Sequence, residues 1–144
     1  LTKPNDVIAS IDKLLFRQCL FNLFTNSIEA AGENIKVAIS IAVFPGPKLP
    51  VRFDNKINLD FDESLLVTTI SDNGPGIKPE HRDQVFAPFF TTKSSGSGLG
   101  LAVAWKLIKA HGGDIILGES SGQGATFHIL LPARLANTQL ETIS

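Results

Sequence analysis

Apolar positions along the chain follow the period of an α-helix in two stretches and the pattern of β-strands in four others. In the first helical stretch Leu15, Cys19 and Leu23 share one side. Gly32 follows that stretch as a helix-ending glycine. The predicted elements are, in chain order, a helix over residues 11–31, strands over 35–44 and 65–71, a helix over 99–111, and strands over 114–118 and 125–131. This order predicts an α/β fold, a two-layer α/β sandwich with a mixed sheet that helices cover on one face.

The domain boundaries follow from the segments that lack such periodicity. We expect one domain over residues 11–134, preceded by a linker over residues 1–10 and followed by a loose tail over residues 135–144. Residues 78–98 are poorly periodic and too long for an ordinary connection, which predicts a functional lid. The polar excursion over residues 45–64 receives no role from the sequence.

Composition and charge narrow the classes of function. The 144 residues are 43% hydrophobic, which is enough for one domain with a core. A formal net charge of −1 argues against a nucleic-acid partner and against direct contact with an anionic membrane. No apolar run approaches the roughly 20 residues that a membrane-spanning helix needs.

Cysteine and histidine usage indicates no metal centre built from these residues. Cys19 has no second cysteine to pair with, so we expect a buried structural thiol and a cytoplasmic location. His81, His111 and His128 lack the spacing of a zinc site and are interpreted as structural or solvated residues.

Two amides, Asn22 and Asn26, lie one turn apart within the apolar stripe of the first predicted helix. An amide buried without partners costs about 1–3 kcal/mol, so both side chains need hydrogen bonds or a ligand. Either they bond neighbouring backbone, or their oxygens face a Mg²⁺–phosphate cluster, since Mg²⁺ prefers hard oxygen ligands. The glycine-rich loops further along the chain favour the second interpretation.

An acid and two glycines follow the second predicted strand. Asp72 either forms the turn, as aspartate before glycine often does, or accepts a hydrogen bond from the exocyclic amine of a base. In the second case the carboxylate favours adenine over guanine, because guanine carries a carbonyl acceptor at the matching edge. Gly74 and Gly76 would let the backbone approach the base without a Cβ clash.

A second glycine loop, with Gly96, Gly98 and Gly100, opens the second predicted helix. Backbone N–H groups at a helix N-terminus favour bound phosphate. The spacing is that of neither a Rossmann fingerprint nor a P-loop. Lys93 is the nearest cation, and it either reaches a terminal phosphate or is a solvated lid residue.

Taken together, these residues resemble the catalytic and ATP-binding domain of sensor histidine kinases. That domain has the Bergerat ATP-binding fold and shares a superfamily with DNA gyrase, a mismatch-repair ATPase and a heat-shock chaperone. The motifs that carry the resemblance are an N box over residues 22–31, a G1 box over 72–76, an F box over 86–93, a G2 box over 96–101 and a last motif over 122–127. The F box is most similar to kinases of the nitrogen-regulation type.

The resemblance implies roles for individual residues. Asn26 and Asn22 would ligate Mg²⁺, Asp72 would read the adenine amine, and Thr126 would support the adenine site through water. Asn22 and Lys93 are the catalytic candidates. The remaining nucleotide contacts implied by the motifs are Gly74, Gly76, Ile77, Phe89, Gly96, Gly98, Leu99, Gly100 and Leu101. Two positions depart from the family's pattern, because Thr25 replaces a frequent basic residue and Ser27 replaces a common alanine.

The implied activity is that of a protein-histidine kinase whose cofactors are ATP and Mg²⁺. Asn22 stands where the gyrase-like branch has a glutamate that activates water, and an amide cannot accept that proton. The γ-phosphoryl group would therefore pass to a histidine on a separate dimerisation domain of the same protein, with a response regulator receiver domain downstream. Two alternatives stay open: a degenerate domain that senses ADP or ATP without phosphotransfer, and a gyrase-like dimerising ATPase, which Asn22 disfavours.

Overall fold

A computed structural model describes residues 7–45, residue 53, residues 64–119 and residues 123–135. The predicted helices and strands are all present, with boundaries shifted by a few residues. Two further elements occur, a short strand inside the expected linker and a 3₁₀ helix inside the expected lid. In chain order the elements are β1 (Val7–Ile8), α1 (Lys13–Ala31), β2 (Val37–Pro45), β3 (Ser64–Asp72), the 3₁₀ helix (Pro79–Gln84), α2 (Gly100–Ala110), β4 (Asp114–Leu117) and β5 (Thr126–Leu135).

The strand β5 is the centre of the sheet. It pairs with β3 along one edge, where Phe127 lies opposite Ile70, and with both β4 and β1 along the other edge. β2 pairs with β3 and forms the outer strand on that side. The expected tail therefore contributes Leu135 to the sheet opposite Val7. The rest of the tail lies outside the described residues.

The two-layer α/β sandwich is confirmed, whereas the directions of the strands differ from the mixed sheet that was expected. Every pairing among the described strands is antiparallel. β3 and β4 do run in the same direction, as a strand–helix–strand connection requires. They are not neighbours, because β5 lies between them and is antiparallel to both. The hairpin that follows β4 thus prevents a parallel pair.

The helices α1 and α2 pack against one face of the sheet, where the main core lies. The buried side chains of this core come from both helices and from alternate positions of β5, and include Cys19, Leu23, Ala104, Ile108, Phe127, Ile129 and Leu131. Burial raises the pKa of the Cys19 thiol to about 12, so this side chain stays protonated and behaves as a small apolar residue. The expectation of a buried structural thiol is confirmed.

The opposite face of the sheet carries a second, smaller core. Leu65, Val67 and Leu130 are buried there together with Phe53, which is only 2% exposed. Phe53 belongs to the excursion over residues 45–64, most of which lies outside the described residues. One aromatic side chain of this excursion therefore covers the sheet, a role that the sequence alone did not assign.

The ends of the helices have local causes. Asp12 caps α1, since its carboxylate accepts hydrogen bonds from the backbone N–H groups of Leu14 and Leu15 at 2.9 and 3.0 Å. Gly32 ends α1 with a positive φ of 67°. By contrast, no side chain of the described residues caps the N-terminus of α2, so its first N–H groups are available to a ligand.

The outward face of α1 is apolar at a seven-residue spacing. Leu14, Phe21 and Ile28 lie two turns apart from one another, and all three side chains are exposed. Within the described part of the chain, neither helix combines the length and the hydrophobicity that crossing a bilayer requires.

Candidate nucleotide site

A cavity of about 660 Å³ lies between α1, the loop after β3, the lid and the first turn of α2. This volume is typical of sites for small-molecule ligands. The predicted site residues that line it are Asn22, Asn26, Gly76, Ile77, Lys93, Gly96, Gly98, Gly100 and Leu101. The structure thus brings residues from the N, G1, F and G2 boxes to one place.

The predicted residues that do not line this cavity are Asp72, Gly74, Phe89, Leu99 and Thr126. Thr126 instead pairs its hydroxyl with that of Ser71 at 3.0 Å, across the β3–β5 ladder. Leu99 precedes α2 and is partly exposed. Asp72 and Gly74 belong to the tight turn that ends β3.

The Asp72 carboxylate is held by three donors. Its Oδ1 accepts hydrogen bonds from the backbone N–H groups of Gly74, at 2.9 Å, and Ala125, at 3.0 Å. Its Oδ2 accepts one from the Ser27 hydroxyl at 2.8 Å. Oδ1 therefore makes the turn contact that was one of the two interpretations of Asp72. Each carboxylate oxygen has two lone pairs, so Oδ2 keeps acceptor capacity for a ligand.

The loop before β5 packs directly on this turn, and its geometry requires glycine. Gly124 donates its N–H to the Gly74 carbonyl at 2.8 Å, with a φ of 73°. A Cβ built on Gly124 would lie 1.6 Å from the Asp72 carbonyl oxygen, so no other residue fits there. Gly124 of the last predicted motif thus supports the Asp72 turn by packing on its backbone.

Asn22 and Asn26 both reach the cavity from α1, one turn apart. Gln18 donates its amide N–H to the Asn22 Oδ1 at 3.0 Å, from one turn earlier on the same helix. The Asn26 Oδ1 lies 3.5 Å from the Lys93 Nζ. Sequence reasoning did not assign Gln18, although its position four residues before Asn22 places the two side chains next to each other.

Lys93 extends from the lid across the cavity to α1. Its ammonium forms an ion pair with Glu29 at 2.9 Å and also lies 3.5 Å from the Asn26 carbonyl oxygen. The Lys93 side chain is 27% exposed, so it is paired rather than extended into solvent. Glu29 lines the cavity as well, and sequence reasoning placed it only at the edge of the helical stripe.

Two adjacent phenylalanines of the lid have different environments, one in solvent and one in the cavity. Phe89 has a φ of 67° and is 76% exposed, and its N–H donates to the Gly98 carbonyl at 2.9 Å. Phe90 lines the cavity, with its ring centroid 5.3 Å from that of His81. The structure therefore does not bring Phe89 to the cavity as the F box implied, because the left-handed turn that pairs its backbone with Gly98 directs its ring outward.

The histidines include one cavity residue that the sequence did not single out. His81 lies on the 3₁₀ helix and lines the cavity beside Phe90. His111 donates from Nδ1 to the Leu107 carbonyl at 2.6 Å and accepts the Asp12 N–H at Nε2, which fixes α1 to α2. Among the described residues, no three histidine, cysteine or acidic side chains cluster in a way that could hold a metal ion.

Residues 11–135 match the model of a family described as histidine kinase-, DNA gyrase B- and HSP90-like ATPases. The chain belongs to this family. Among curated relatives, the signal transduction histidine-protein kinase AtoS of Escherichia coli is 36% identical over 121 residues, which cover 84% of this chain and 17% of the relative. The sensory histidine kinase/phosphatase NtrB of Rhizobium meliloti is 39% identical over 130 residues, which cover 88% of this chain and 32% of the relative. The chain therefore spans about a sixth to a third of the length of these relatives.

Solved structures agree with the family assignment. The nucleotide-free catalytic domain of the histidine kinase ThkA is 30% identical, with a TM-score of 0.63 over 86% of this chain and 70% of that domain. Full-length ShkA in complex with AMPPNP is 27% identical, with a TM-score of 0.65 over 90% of this chain and 24% of the longer protein. The fold of this chain is that of a histidine kinase catalytic domain.

Proposed function

We propose that this chain is the ATP-binding catalytic domain of a sensor histidine kinase. In that role it transfers the γ-phosphoryl group of Mg-ATP to a histidine on a separate dimerisation domain of the same protein. The observation that carries the proposal is one cavity lined by Asn22, Asn26, Lys93 and the uncapped N-terminus of α2. These groups supply oxygen ligands for a metal ion, a cation and backbone N–H donors for phosphate.

The donor set in the cavity fits a Mg²⁺ ion. Asn22 and Asn26 offer amide oxygens, which are hard ligands, from one helix face. The position of the Lys93 ammonium near the Asn26 Oδ1 is a second indication that a cation is favoured there. Asn22 and Asn26 are the residues that would hold the metal ion, which would neutralise phosphate charge when bound.

Recognition of the base is assigned to the Asp72 turn. The Asp72 carboxylate lies outside the cavity lining, but Ser27, Gly74 and Ala125 fix its orientation and its Oδ2 keeps the capacity to accept from the exocyclic amine of adenine. Gly76 and Ile77 line the cavity directly after this turn. Adenine is favoured over guanine, because two acceptors would otherwise face each other.

The residues of the site favour transfer over hydrolysis. The Asn22 side chain is an amide and cannot take a proton from water, so it can hold the metal ion but cannot activate a water molecule for hydrolysis. Lys93 can contact a terminal phosphate once it leaves Glu29, which supplies the charge stabilisation that phosphoryl transfer needs. A response regulator receiver domain would then take the phosphoryl group from the acceptor histidine. The cytoplasmic location of the domain stays a prediction.

Two measurements test the proposal. In calorimetric titrations, ADP should bind with micromolar affinity in Mg²⁺ and more weakly in EDTA, and no binding in either buffer would contradict the assignment. The chain should then phosphorylate an added histidine-bearing dimerisation domain when given ATP. Binding without transfer would indicate a nucleotide sensor instead, and rapid ATP turnover by the chain alone would indicate a gyrase-like ATPase.

A further inference from the structure

A cation already sits among three oxygens of α1 in this structure. The Lys93 ammonium lies 2.9 Å from the Glu29 Oε2, and 3.5 Å from both the Asn26 carbonyl oxygen and the Asn26 Oδ1. Asn26 is the residue that the proposed function assigns to the metal ion. The ammonium therefore occupies the neighbourhood in which a divalent cation would be held.

Hydrogen bonds within the lid hold the backbone of Lys93 in place. The Thr91 hydroxyl accepts the Lys93 N–H at 3.0 Å, and Gly96 donates its N–H to the Lys93 carbonyl at 3.4 Å. The backbone of Lys93 thus belongs to a small hydrogen-bonded turn, and only its side chain extends to α1. Release of the ammonium requires rotation of that side chain and no change in the turn.

Release of Lys93 leaves a carboxylate without its partner beside the phosphates. Glu29 lines the same cavity as Lys93 and the glycine loop, and its side chain is 53% exposed. A nucleotide without a metal ion brings several negative charges towards this carboxylate, and like charges repel over such distances even when partly screened. A metal-loaded nucleotide carries less charge and returns a cation to the neighbourhood of Asn26.

We propose that Glu29 determines the metal dependence of nucleotide binding by this chain. It holds Lys93 across the cavity before the nucleotide arrives, and it then selects the metal-loaded nucleotide over the metal-free one. The proposal gives Glu29 no contact with the base or the reacting phosphate, so it is a specificity-determining residue rather than a catalytic residue. This inference rests on the proposed function, since it concerns the same nucleotide site.

The test compares ATP affinity in Mg²⁺ with ATP affinity in EDTA, measured by calorimetry on the whole chain. In Glu29→Gln the affinity in EDTA should rise about threefold to tenfold while the affinity in Mg²⁺ changes less, so the ratio of the two affinities falls. Glu33→Gln is the matched control, because it removes one exposed acidic charge just beyond α1 at a residue that does not line the cavity. The control should leave the ratio as it is in the unmodified chain.

A second variant separates repulsion by Glu29 from release of Lys93. Lys93→Gln removes a cation that attracts the metal-free nucleotide more strongly than the metal-loaded one, so the ratio of the affinity in Mg²⁺ to the affinity in EDTA should rise, whereas Glu29→Gln should lower it. In the double variant the ratio should be lower than in Lys93→Gln alone, because the carboxylate that opposes the metal-free nucleotide is gone. A ratio in the double variant as high as that of Lys93→Gln alone would overturn the inference.

The failure of this inference is distinguishable from the failure of the proposed function. If the unmodified chain binds no ATP in either buffer, the nucleotide site itself is wrong and the inference falls with it. If the unmodified chain binds ATP with a clear dependence on Mg²⁺ and Glu29→Gln keeps the same ratio, only the role of Glu29 is overturned. If binding does not depend on Mg²⁺ at all, the assignment of Asn22 and Asn26 to the metal ion is overturned together with the role of Glu29.

Discussion

At the scale of single residues, two side-chain contacts in the site join residues that are far apart in the sequence. Ser27 on α1 donates to Asp72 at the end of β3, and Lys93 in the lid pairs with Glu29 on α1. In the sequence, Ser27 is only a departure from the family's pattern. In the structure, its hydroxyl contributes directly to the orientation of the carboxylate that is proposed to read the base. A departure from the motif is thus part of the site.

The Ser27 contact predicts a loss of base recognition in Ser27→Ala. Removal of one hydrogen bond to a charged group that stays in place should weaken ADP binding by about 1 kcal/mol, or roughly fivefold. Inosine diphosphate lacks the exocyclic amine, so its weaker binding should change little. Calorimetry with both nucleotides checks this, with Ser40→Ala on the exposed surface of β2 as the control. An equal loss for both nucleotides would mean that Ser27 acts on the fold and not on Asp72.

The buried thiol of Cys19 predicts a dependence of stability on pH. Burial raises its pKa from 9.0 to about 12, so the unfolded chain releases this proton at a lower pH than the folded chain does. The contribution of the protonated thiol to the free energy of unfolding is complete below about pH 9 and is lost as the pH rises towards 12. The melting temperatures of the unmodified chain and of Cys19→Ala should therefore approach each other as the pH rises over this range. Iodoacetamide at pH 8 should modify Cys19 only when urea unfolds the chain.

At the scale of elements, the glycine loops connect the lid to the helix that it precedes. Gly98 has a φ of 70°, and a Cβ there would lie 2.4 Å from the Phe89 carbonyl carbon. A Cβ on Gly100, the first residue of α2, would meet no atom of the described residues within 4 Å apart from its own chain neighbours and the backbone of α2. Two glycines of the same motif therefore differ physically, because only Gly98 is required by its surroundings.

This difference predicts a loss of binding for one alanine substitution and a gain in stability for the other. Gly98→Ala should disrupt the contact between Phe89 and Gly98 and weaken ADP binding by at least about tenfold, because the loop can no longer place its N–H groups. Gly100→Ala should raise the free energy of unfolding by about 0.5–1 kcal/mol, since alanine is the better helix former. Urea denaturation and calorimetry on both variants check the pair. Tight ADP binding by Gly98→Ala would show that the lid does not need this turn.

At the scale of the whole molecule, both faces of the sheet carry a hydrophobic core. The helices cover one face, and Phe53 covers part of the other over Leu65, Val67 and Leu130. The rings of Phe53 and His128 also pack edge to face, with centroids 5.2 Å apart. The excursion over residues 45–64 thus contributes to the stability of the domain through at least this side chain.

Phe53→Ala should accordingly lower the free energy of unfolding by about 3–5 kcal/mol, the usual cost of removing a buried aromatic ring. Phe89→Ala is the matched control, because it deletes the same side chain from a position that is 76% exposed. The control should change the free energy of unfolding by less than about 0.5 kcal/mol. Urea denaturation of both variants measures the difference. Similar values for the two would show that Phe53 does not contribute to the core.

The sequence by itself determined the features that depend on near neighbours. The helical stripe that holds Cys19 and Leu23, the end of α1 at Gly32 and the two glycine loops all follow from local spacing and backbone preference. The motifs were sufficient to indicate the family, and nine of the fourteen predicted site residues line the cavity, because each motif places its residues on one turn or one helix face.

The tertiary structure decided what depends on contacts between distant segments. The insertion of β5 between β3 and β4, the burial of Phe53 and the pairing of Lys93 with Glu29 each join residues far apart in the chain. The choice of Phe90 over Phe89 as the cavity residue depends in the same way on the contact with Gly98. Local periodicity carries no information on which distant partner a strand or side chain meets, since many pairings satisfy the same pattern.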